Sequence, residues 1–130
     1  MATYFFETIT DAQAATYNQA ADNLVFGQTG ERGGITTVRF NAATATSAAT
    51  ITLISGLTGK TVTFAATLAG ETPIFPDGSQ LFIGNPGDDS FNAATAAGGA
   101  DGLTSDGLYG GTGNDTLNGG AGNDLVQGNQ

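Results

Sequence analysis

Aspartate and glycine recur at a fixed spacing near the C-terminal end of the chain. From residue 110 the sequence reads GGTGNDTLN and then GGAGNDLVQ, two consecutive units of nine residues. Asp115 and Asp124 therefore lie nine residues apart, as do Leu117 and Val126. Carboxylate oxygens are ligands that hard cations prefer, so the pattern indicates a cation-binding segment.

Two degraded copies of this unit precede the intact ones. The segment DGLTSDGLY at 101–109 keeps Asp106 at its sixth position, and GNPGDDSFN at 84–92 keeps Asp89. Between them the stretch AATAAGGA breaks the register by one residue. A flexible glycine-rich linker with incidental aspartates is the alternative interpretation of this composition.

The intact units follow the pattern G-G-x-G-x-D-x-U-x, in which U is apolar, and the segment resembles the RTX (repeats-in-toxin) family of secreted calcium-binding proteins. The resemblance covers about a third of the chain. Glycines at the first, second and fourth positions allow positive φ and bring carbonyl groups close to an ion, and the aspartate adds a hard anionic oxygen. The apolar eighth residue lies on a short strand and faces inward, so successive units stack into a parallel coil.

The resemblance implies that a coil consists of a pair of units and that calcium lies between turns on the same side of successive coils. The turn around Asp106 would face the turn 119–124, and the turn 110–115 would pair with residues after 127. Asp89 would join the stack of Asp106 if the segment 93–100 acts as an imperfect unit. The implied ligands are the aspartates Asp89, Asp106, Asp115 and Asp124 and the turn residues Gly110, Thr112, Asn114, Gly119, Ala121 and Asn123, with Asp88 and Asp101 as weaker candidates.

Glycine and charge divide the chain into two parts. Residues 1–83 contain eight glycines, six acids and all three bases, whereas residues 84–130 contain thirteen glycines, six acids and no base. We expect an N-terminal β domain over 1–83 and an RTX calcium-binding β-roll over 84–130, degenerate at 84–109 and regular at 110–127. The last residues begin a further unit, and none could serve as a C-terminal secretion signal, so we expect the N-terminal piece of a longer protein.

The first part is predicted to be mainly β, a sandwich or rolled sheet with one short helix. Thr10, with Gln13 three residues later, forms a capping-box pattern before an alanine-rich segment, which predicts the helix. In ATITLIS and KTVTF apolar residues alternate with threonines around the turn GLTGK, which predicts a hairpin with one apolar and one threonine face. Strands are predicted at 3–9, 23–26, 35–40, 50–54, 61–64 and 80–83. The phenylalanines expected to fill the core are Phe5, Phe6, Phe26, Phe40, Phe64, Phe75 and Phe82.

Missing residue types exclude several classes of function. The chain has no cysteine and no histidine, which removes thiolate metal sites, disulfides and the Ser-His-Asp triad. Its three bases cannot neutralise a row of phosphates, so nucleic acid is not an expected partner. No run approaches the roughly 18 apolar residues of a membrane span, and the N-terminus lacks the features of a cleaved secretory signal.

The acids of the first part could in principle include the two carboxylates of a glycosidase. No spacing supports such a pair, so we expect no enzymatic activity and solvated side chains at Glu7, Asp11, Asp22, Glu31, Glu71 and Asp77.

The repeat is expected to fold only when calcium binds, because its acids repel one another and its glycines lose much entropy on ordering. We interpret the chain as a non-enzymatic structural module of a type I-secreted bacterial surface-layer or biofilm-matrix protein, with Ca²⁺ as its cofactor. Its expected partners are further copies of itself, in a lattice or fibre, and cell-surface polysaccharide. The alternative is the N-terminal part of a secreted RTX hydrolase or adhesin whose active or binding domain lies beyond residue 130.

Overall fold

The computed structural model describes residues 2–76, 78–92, 105–120 and 124–128. Within these ranges the chain is mainly β with one short α-helix, as the sequence predicts. The first elements are β1 (Ala2–Phe5), α1 (Asp11–Ala15), β2 (Asp22–Val25), β3 (Thr37–Asn41), β4 (Thr50–Ile54) and β5 (Thr61–Ala65), with single 3₁₀ turns at Gly33–Ile35 and Ala66–Leu68. Five strands of three residues follow: β6 (Leu81–Ile83), β7 (Ser90–Asn92), β8 (Gly107–Tyr109), β9 (Thr116–Asn118) and β10 (Leu125–Gln127).

The helix begins where the capping box predicts it. The Thr10 hydroxyl accepts a hydrogen bond from Gln13 N at 3.2 Å, and Gln13 Oε1 accepts one from Thr10 N at 3.0 Å. These bonds satisfy N–H groups that have no partner within the helix. Because β1 and β2 pair in parallel, with Tyr4 opposite Leu24, α1 forms the crossover connection that a parallel pair requires.

The strands β3, β4 and β5 form an antiparallel sheet with β4 in the centre. Ile51 in β4 lies opposite Phe64 in β5, and both side chains are buried. On the other face Thr52 lies opposite Thr63, with the two Oγ1 atoms 3.0 Å apart. The predicted hairpin, with one apolar and one threonine face, is therefore confirmed.

Stacked phenylalanines fill much of the core of the N-terminal part. The ring of Phe26 stacks on Phe6 and on Phe75, with centroid distances of 4.4 and 4.5 Å. The prediction of a buried Phe5 is wrong: this side chain is 48% exposed, because side chains alternate along β1 and Phe5 lies on the outer face. Phe40 is only partly buried at the margin of the core.

The five short strands alternate between two parallel sheets. The strands β6, β8 and β10 form one sheet, with β8 in the middle, and β7 pairs with β9 in the other. Phe82 lies beside Leu108 in the first sheet, and Phe91 lies beside Leu117 in the second. The rings of Phe82 and Phe91 stack at 4.6 Å between the sheets. Four of the apolar eighth positions, Phe82, Phe91, Leu108 and Leu117, thus form a thin core of their own, whereas Val126 is exposed.

The pair β6 and β8 is buried on both faces. Phe82 and Leu108 contact the second parallel sheet, whereas Ile83 and Tyr109 belong to the core of the N-terminal part. The Tyr109 hydroxyl also donates a hydrogen bond to Thr36 O at 3.2 Å. A strand from the expected N-terminal domain, β6, therefore lies in one sheet with strands from beyond residue 83.

The expectation that the acids of the first part are solvated is wrong for Glu31 and Glu71, which are buried. The Ser55 hydroxyl donates a hydrogen bond to Glu31 Oε2 at 2.7 Å. Tyr17 O–H donates to Glu71 Oε2, and Thr72 N donates to Glu71 Oε1 at 2.9 Å. Burial raises the pKa of the Glu71 carboxyl, although the hydrogen bonds from Tyr17 and Thr72 partly oppose the increase. The side-chain donors Ser55 and Tyr17 lie 24 and 54 residues away from the acids they contact, so local spacing could not reveal them.

We expect Glu71→Gln to make the stability of the fold less dependent on pH. A carboxyl whose folded pKa is raised stabilises the fold below its unfolded pKa, and this contribution is lost as the pH rises through the folded value. Glutamine can accept from Thr72 N and donate to the Tyr17 oxygen without acquiring a charge. As the pH rises above the unfolded pKa of this carboxyl, the free energy of unfolding should therefore shift in favour of the variant.

Urea denaturation at constant calcium concentration measures this shift. Asp11→Asn, which replaces an exposed carboxylate by an amide, is the matched control for the same chemical change outside the buried cluster. Parallel curves for Glu71→Gln and the wild type would contradict the prediction.

Candidate metal centre

The turns before β7 and β9, residues 84–89 and 110–115, lie directly against each other, and we call them the paired turns. Thr112 Oγ1 donates a hydrogen bond to Pro86 O at 2.8 Å across the contact. Gly113 has a φ of 107°, and a Cβ atom there would lie 2.6 Å from a carbonyl oxygen of the facing turn. The fourth-position glycine of this unit is therefore required both by its backbone conformation and by the close approach.

The carboxylate at the sixth position of a unit bonds to the backbone of the turn stacked beside it. Asp115 Oδ1 accepts a hydrogen bond from Asp89 N at 2.9 Å, and Asp124 Oδ1 accepts one from Asp106 N at 3.0 Å. The two residues are 26 positions apart in the first pair and 18 in the second. Each carboxylate therefore holds together two turns that are distant in the sequence.

These bonds place the four aspartates in two separate stacks. Asp106 faces Asp124, which is the pairing that the resemblance implies. The hypothesis that Asp89 joins this stack is wrong, because Asp89 faces Asp115 instead. The cause is the strand pairing, in which Phe91 of β7 lies opposite β9 and not opposite β8. The turn 110–115 consequently pairs with an earlier turn of the chain.

A further unit, which the aspartate pattern does not predict, precedes the first degraded copy. Gln80 N donates to Asp106 Oδ1 at 2.7 Å over 26 positions, the same bond that links the other stacked units. In the segment FPDGSQLFI at 75–83, Gly78 with a φ of 79° holds the fourth position and Phe82 the eighth. Glutamine replaces the aspartate, which concealed the pattern, although the spacing of nine residues to the next unit could have revealed it.

One carboxylate oxygen in the paired turns has no compensating donor. Asp115 Oδ2 is buried, and no described residue donates a hydrogen bond to it. A Cβ atom at Gly110 would overlap this oxygen, so the first-position glycine leaves space for the carboxylate. An unpaired buried carboxylate oxygen is costly, and residues 84–130 contain no base to neutralise it. The donor set therefore fits a hard cation.

The same arrangement of first-position glycine and sixth-position aspartate recurs in other units. A Cβ atom at Gly84 would lie 2.8 Å from Asp89 Oδ2, and one at Gly119 would lie 2.7 Å from Asp124 Oδ2. In each unit the carboxylate folds back toward the first residue of its own turn, and in two of the units a carbonyl oxygen is close as well, Gly110 O beside Gly84 and Gly128 O beside Gly110. Such a turn can present carboxylate and carbonyl oxygens to one ion.

The sequence-predicted ligands divide between the two stacks. The paired turns contain Asp89, Gly110, Thr112, Asn114 and Asp115, while Asp106, Gly119 and Asp124 belong to the other stack, and Ala121, Asn123 and Asp101 lie outside the described residues. Asp88, a weaker candidate, accepts a hydrogen bond from Asn114 N at 2.8 Å across the paired turns. Within the described ranges no three acidic side chains form one group that could hold a metal. A cation bound here would therefore need carbonyl oxygens as well.

The family model of the RTX calcium-binding nonapeptide repeat (4 copies) matches residues 101–130. No curated protein and no solved structure matches the chain. Residues 101–130 therefore carry RTX calcium-binding repeats, and proteins with such repeats are typically secreted. Over the described residues, no helix has the length and hydropathy needed to cross a membrane.

We expect Gly110→Ala to weaken calcium binding by about tenfold or more, since overpacking typically costs about 1–3 kcal/mol and here displaces the Asp115 carboxylate. Gly87→Ala is the matched control, because no atom of another described residue, apart from its two chain neighbours, lies within 4 Å of a Cβ at that position. Isothermal titration calorimetry with calcium compares the two variants. Equal losses of affinity in both variants would show that the space beside Asp115 has no special role.

Proposed function

We propose that this chain is a calcium-binding extracellular structural module whose repeats form a parallel β-roll when calcium binds. The observation that carries the proposal is that the two carboxylate oxygens of Asp115 have different partners. Its Oδ1 links two stacked turns, while its buried Oδ2 has no donor among the described residues. The alternation of β6, β8 and β10 with β7 and β9 between two parallel sheets supports the roll.

In the paired turns we propose that Asp89 and Asp115 supply carboxylate oxygens to calcium. Gly110, Thr112 and Asn114 would contribute carbonyl or amide oxygens from the same turns. Asp106 and Asp124, together with the turn that begins at Gly119, would form the second stack of sites. Bound calcium supplies the positive charge that this base-free segment lacks.

The proposed calcium requirement follows from charge and entropy. Half of the twelve acids lie in residues 84–130 without a base, and the many glycines raise the entropy lost on ordering. Extracellular calcium modules bind in the range of about 10⁻⁴ to 10⁻³ M. A site at about ten times its dissociation constant adds only about 1.4 kcal/mol, so several sites must act together to hold the roll.

We further propose that this weak binding suits export of the chain by a type I system. A chain with millimolar affinity stays unfolded at the low calcium concentration of the cytosol and folds in the higher concentration outside the cell. The N-terminal part would then pair through β6 and β8 with the newly ordered repeats.

The proposed biological role is structural, in a bacterial surface layer or biofilm matrix, with contacts to further copies or to surface polysaccharide. The absence of enzymatic activity belongs to this proposal: the buried acids Glu31 and Glu71 are engaged by Ser55 and Tyr17 inside the fold. Self-association is supported by β10, the outermost described strand of its sheet. Two apolar residues of β10, Leu125 and Val126, are 45% and 46% exposed.

Calcium removal should unfold the repeats. We expect far-UV circular dichroism and light scattering of the wild type to differ clearly between calcium and EGTA. Asp115→Asn should raise the calcium concentration needed for folding by about tenfold, since ligand charge sets calcium affinity. Asparagine keeps an acceptor for Asp89 N, so the variant removes charge without removing the link between turns. Asp11→Asn serves as the control, and identical spectra with and without EGTA would refute calcium-driven folding.

Electron microscopy after calcium addition tests the structural role. Ordered lattices or filaments are expected in calcium and should be lost in EGTA. Replacing the exposed apolar pair with Leu125→Ser and Val126→Ser should weaken the assembly while calcium binding persists. A monodisperse monomer at all calcium concentrations would count against self-association and leave calcium binding to be judged by the spectra.

A further inference from the structure

A cleft of about 500 Å³ lies between the antiparallel sheet and the paired turns. Phe40 and Ile51 form its wall on the sheet side, Ala66 and Ala69 lie at and after the second 3₁₀ turn, and Pro86 and Thr112 come from the two paired turns. This volume falls within the range of about 300–1,000 Å³ that is usual for small-molecule sites.

The lining of the cleft specifies the chemistry of a ligand. Among the described residues that line it none is charged, and most of the exposed surface is apolar. Its polar groups are already engaged in part: Asn41 Nδ2 donates to the hydroxyls of Thr50 and Thr52, and the Thr112 hydroxyl donates to Pro86 O. The formal charge of −9 on the chain disfavours an anion, and the lining offers no carboxylate to a cation. An uncharged ligand with an apolar body fits best.

The wall of the cleft is continuous with the candidate metal centre. Asn85, which lines the cleft, donates its backbone N–H to Asp89 Oδ2 at 2.8 Å. Gly111 also lines the cleft and directly follows Gly110, whose Cβ position adjoins the Asp115 carboxylate. A Cβ atom at Gly111 would lie 3.4 Å from the ring of Phe40, so the turn contacts the opposite wall. Ordering of the paired turns therefore completes the cleft.

We propose that this cleft is a binding site for a small, uncharged molecule with an apolar ring or branched hydrocarbon body, and that calcium and this ligand strengthen each other's binding. The coupling rests on the proposed calcium function, whereas the cleft itself does not. Because coupling between two sites is reciprocal, the ligand should also raise the affinity of the paired turns for calcium.

N-phenyl-1-naphthylamine, an uncharged fluorescent probe, tests the site in the full chain. In calcium we expect a saturable fluorescence increase, with binding weakened by about fivefold or more in EGTA. Ala49→Phe, which places a ring in the cleft, should weaken probe binding by about tenfold or more, and Ala66→Phe should act likewise. Ala12→Phe, an equal change on the exposed face of α1, should leave it unchanged.

Calcium titration by calorimetry on the same samples separates the possible failures. Intact calcium binding without saturable probe binding, or probe binding that is equal in Ala49→Phe and the wild type, would overturn the cleft site and leave the calcium function standing. Probe binding that is equal in calcium and EGTA would overturn the coupling. A calcium-dependent dimer that excludes the probe would show that a second copy of the chain occupies the cleft instead.

Discussion

The pairing of β6 with β8 is the contact on which the rest of the structure depends. Strands of three residues have little stability of their own, and these persist because both of their faces are buried. On one face Ile83 and Tyr109 complete the core of the N-terminal part, and on the other Phe82 and Leu108 begin the thin core of the repeats. In the proposed roll, the N-terminal part would supply the cap that a solenoid needs at its first coil.

The sixth-position aspartates link the stacked turns and also concentrate negative charge there. Asp115 and Asp124 each use one oxygen to bond the turn stacked beside them, so the links between stacked turns also bring anionic groups together. The negative charges of this segment repel one another, because residues 84–130 contain six acids and no base. Each calcium ion would cancel two negative charges, so the formal charge of −9 describes the chain without its metal. Under the proposed function, folding and cation binding become one equilibrium.

Local interactions explain which parts of the fold were predictable. The capping box at Thr10 and Gln13 and the hairpin of β4 and β5 depend on residues close in sequence, and both follow from patterns visible there. The burial of Glu31 and Glu71 was not predictable, because their donors Ser55 and Tyr17 lie 24 and 54 residues away. Aromatic content alone places Phe5 in the core wrongly, since it does not indicate which face of β1 is covered.

For the candidate site, the sequence by itself determined the unit, its glycine turns and the oxygen chemistry of Asp115 and Asp124, because a period of nine residues is a local property. Only the tertiary structure decided which turns stack. The pairing of β7 with β9 places Asp89 beside Asp115 across 26 positions, and Gln80 takes the place of an aspartate in a unit that its composition conceals. The physical reason is that strand register is selected by burial of Phe82, Phe91 and their neighbours between two sheets, and that selection operates between segments distant in the chain.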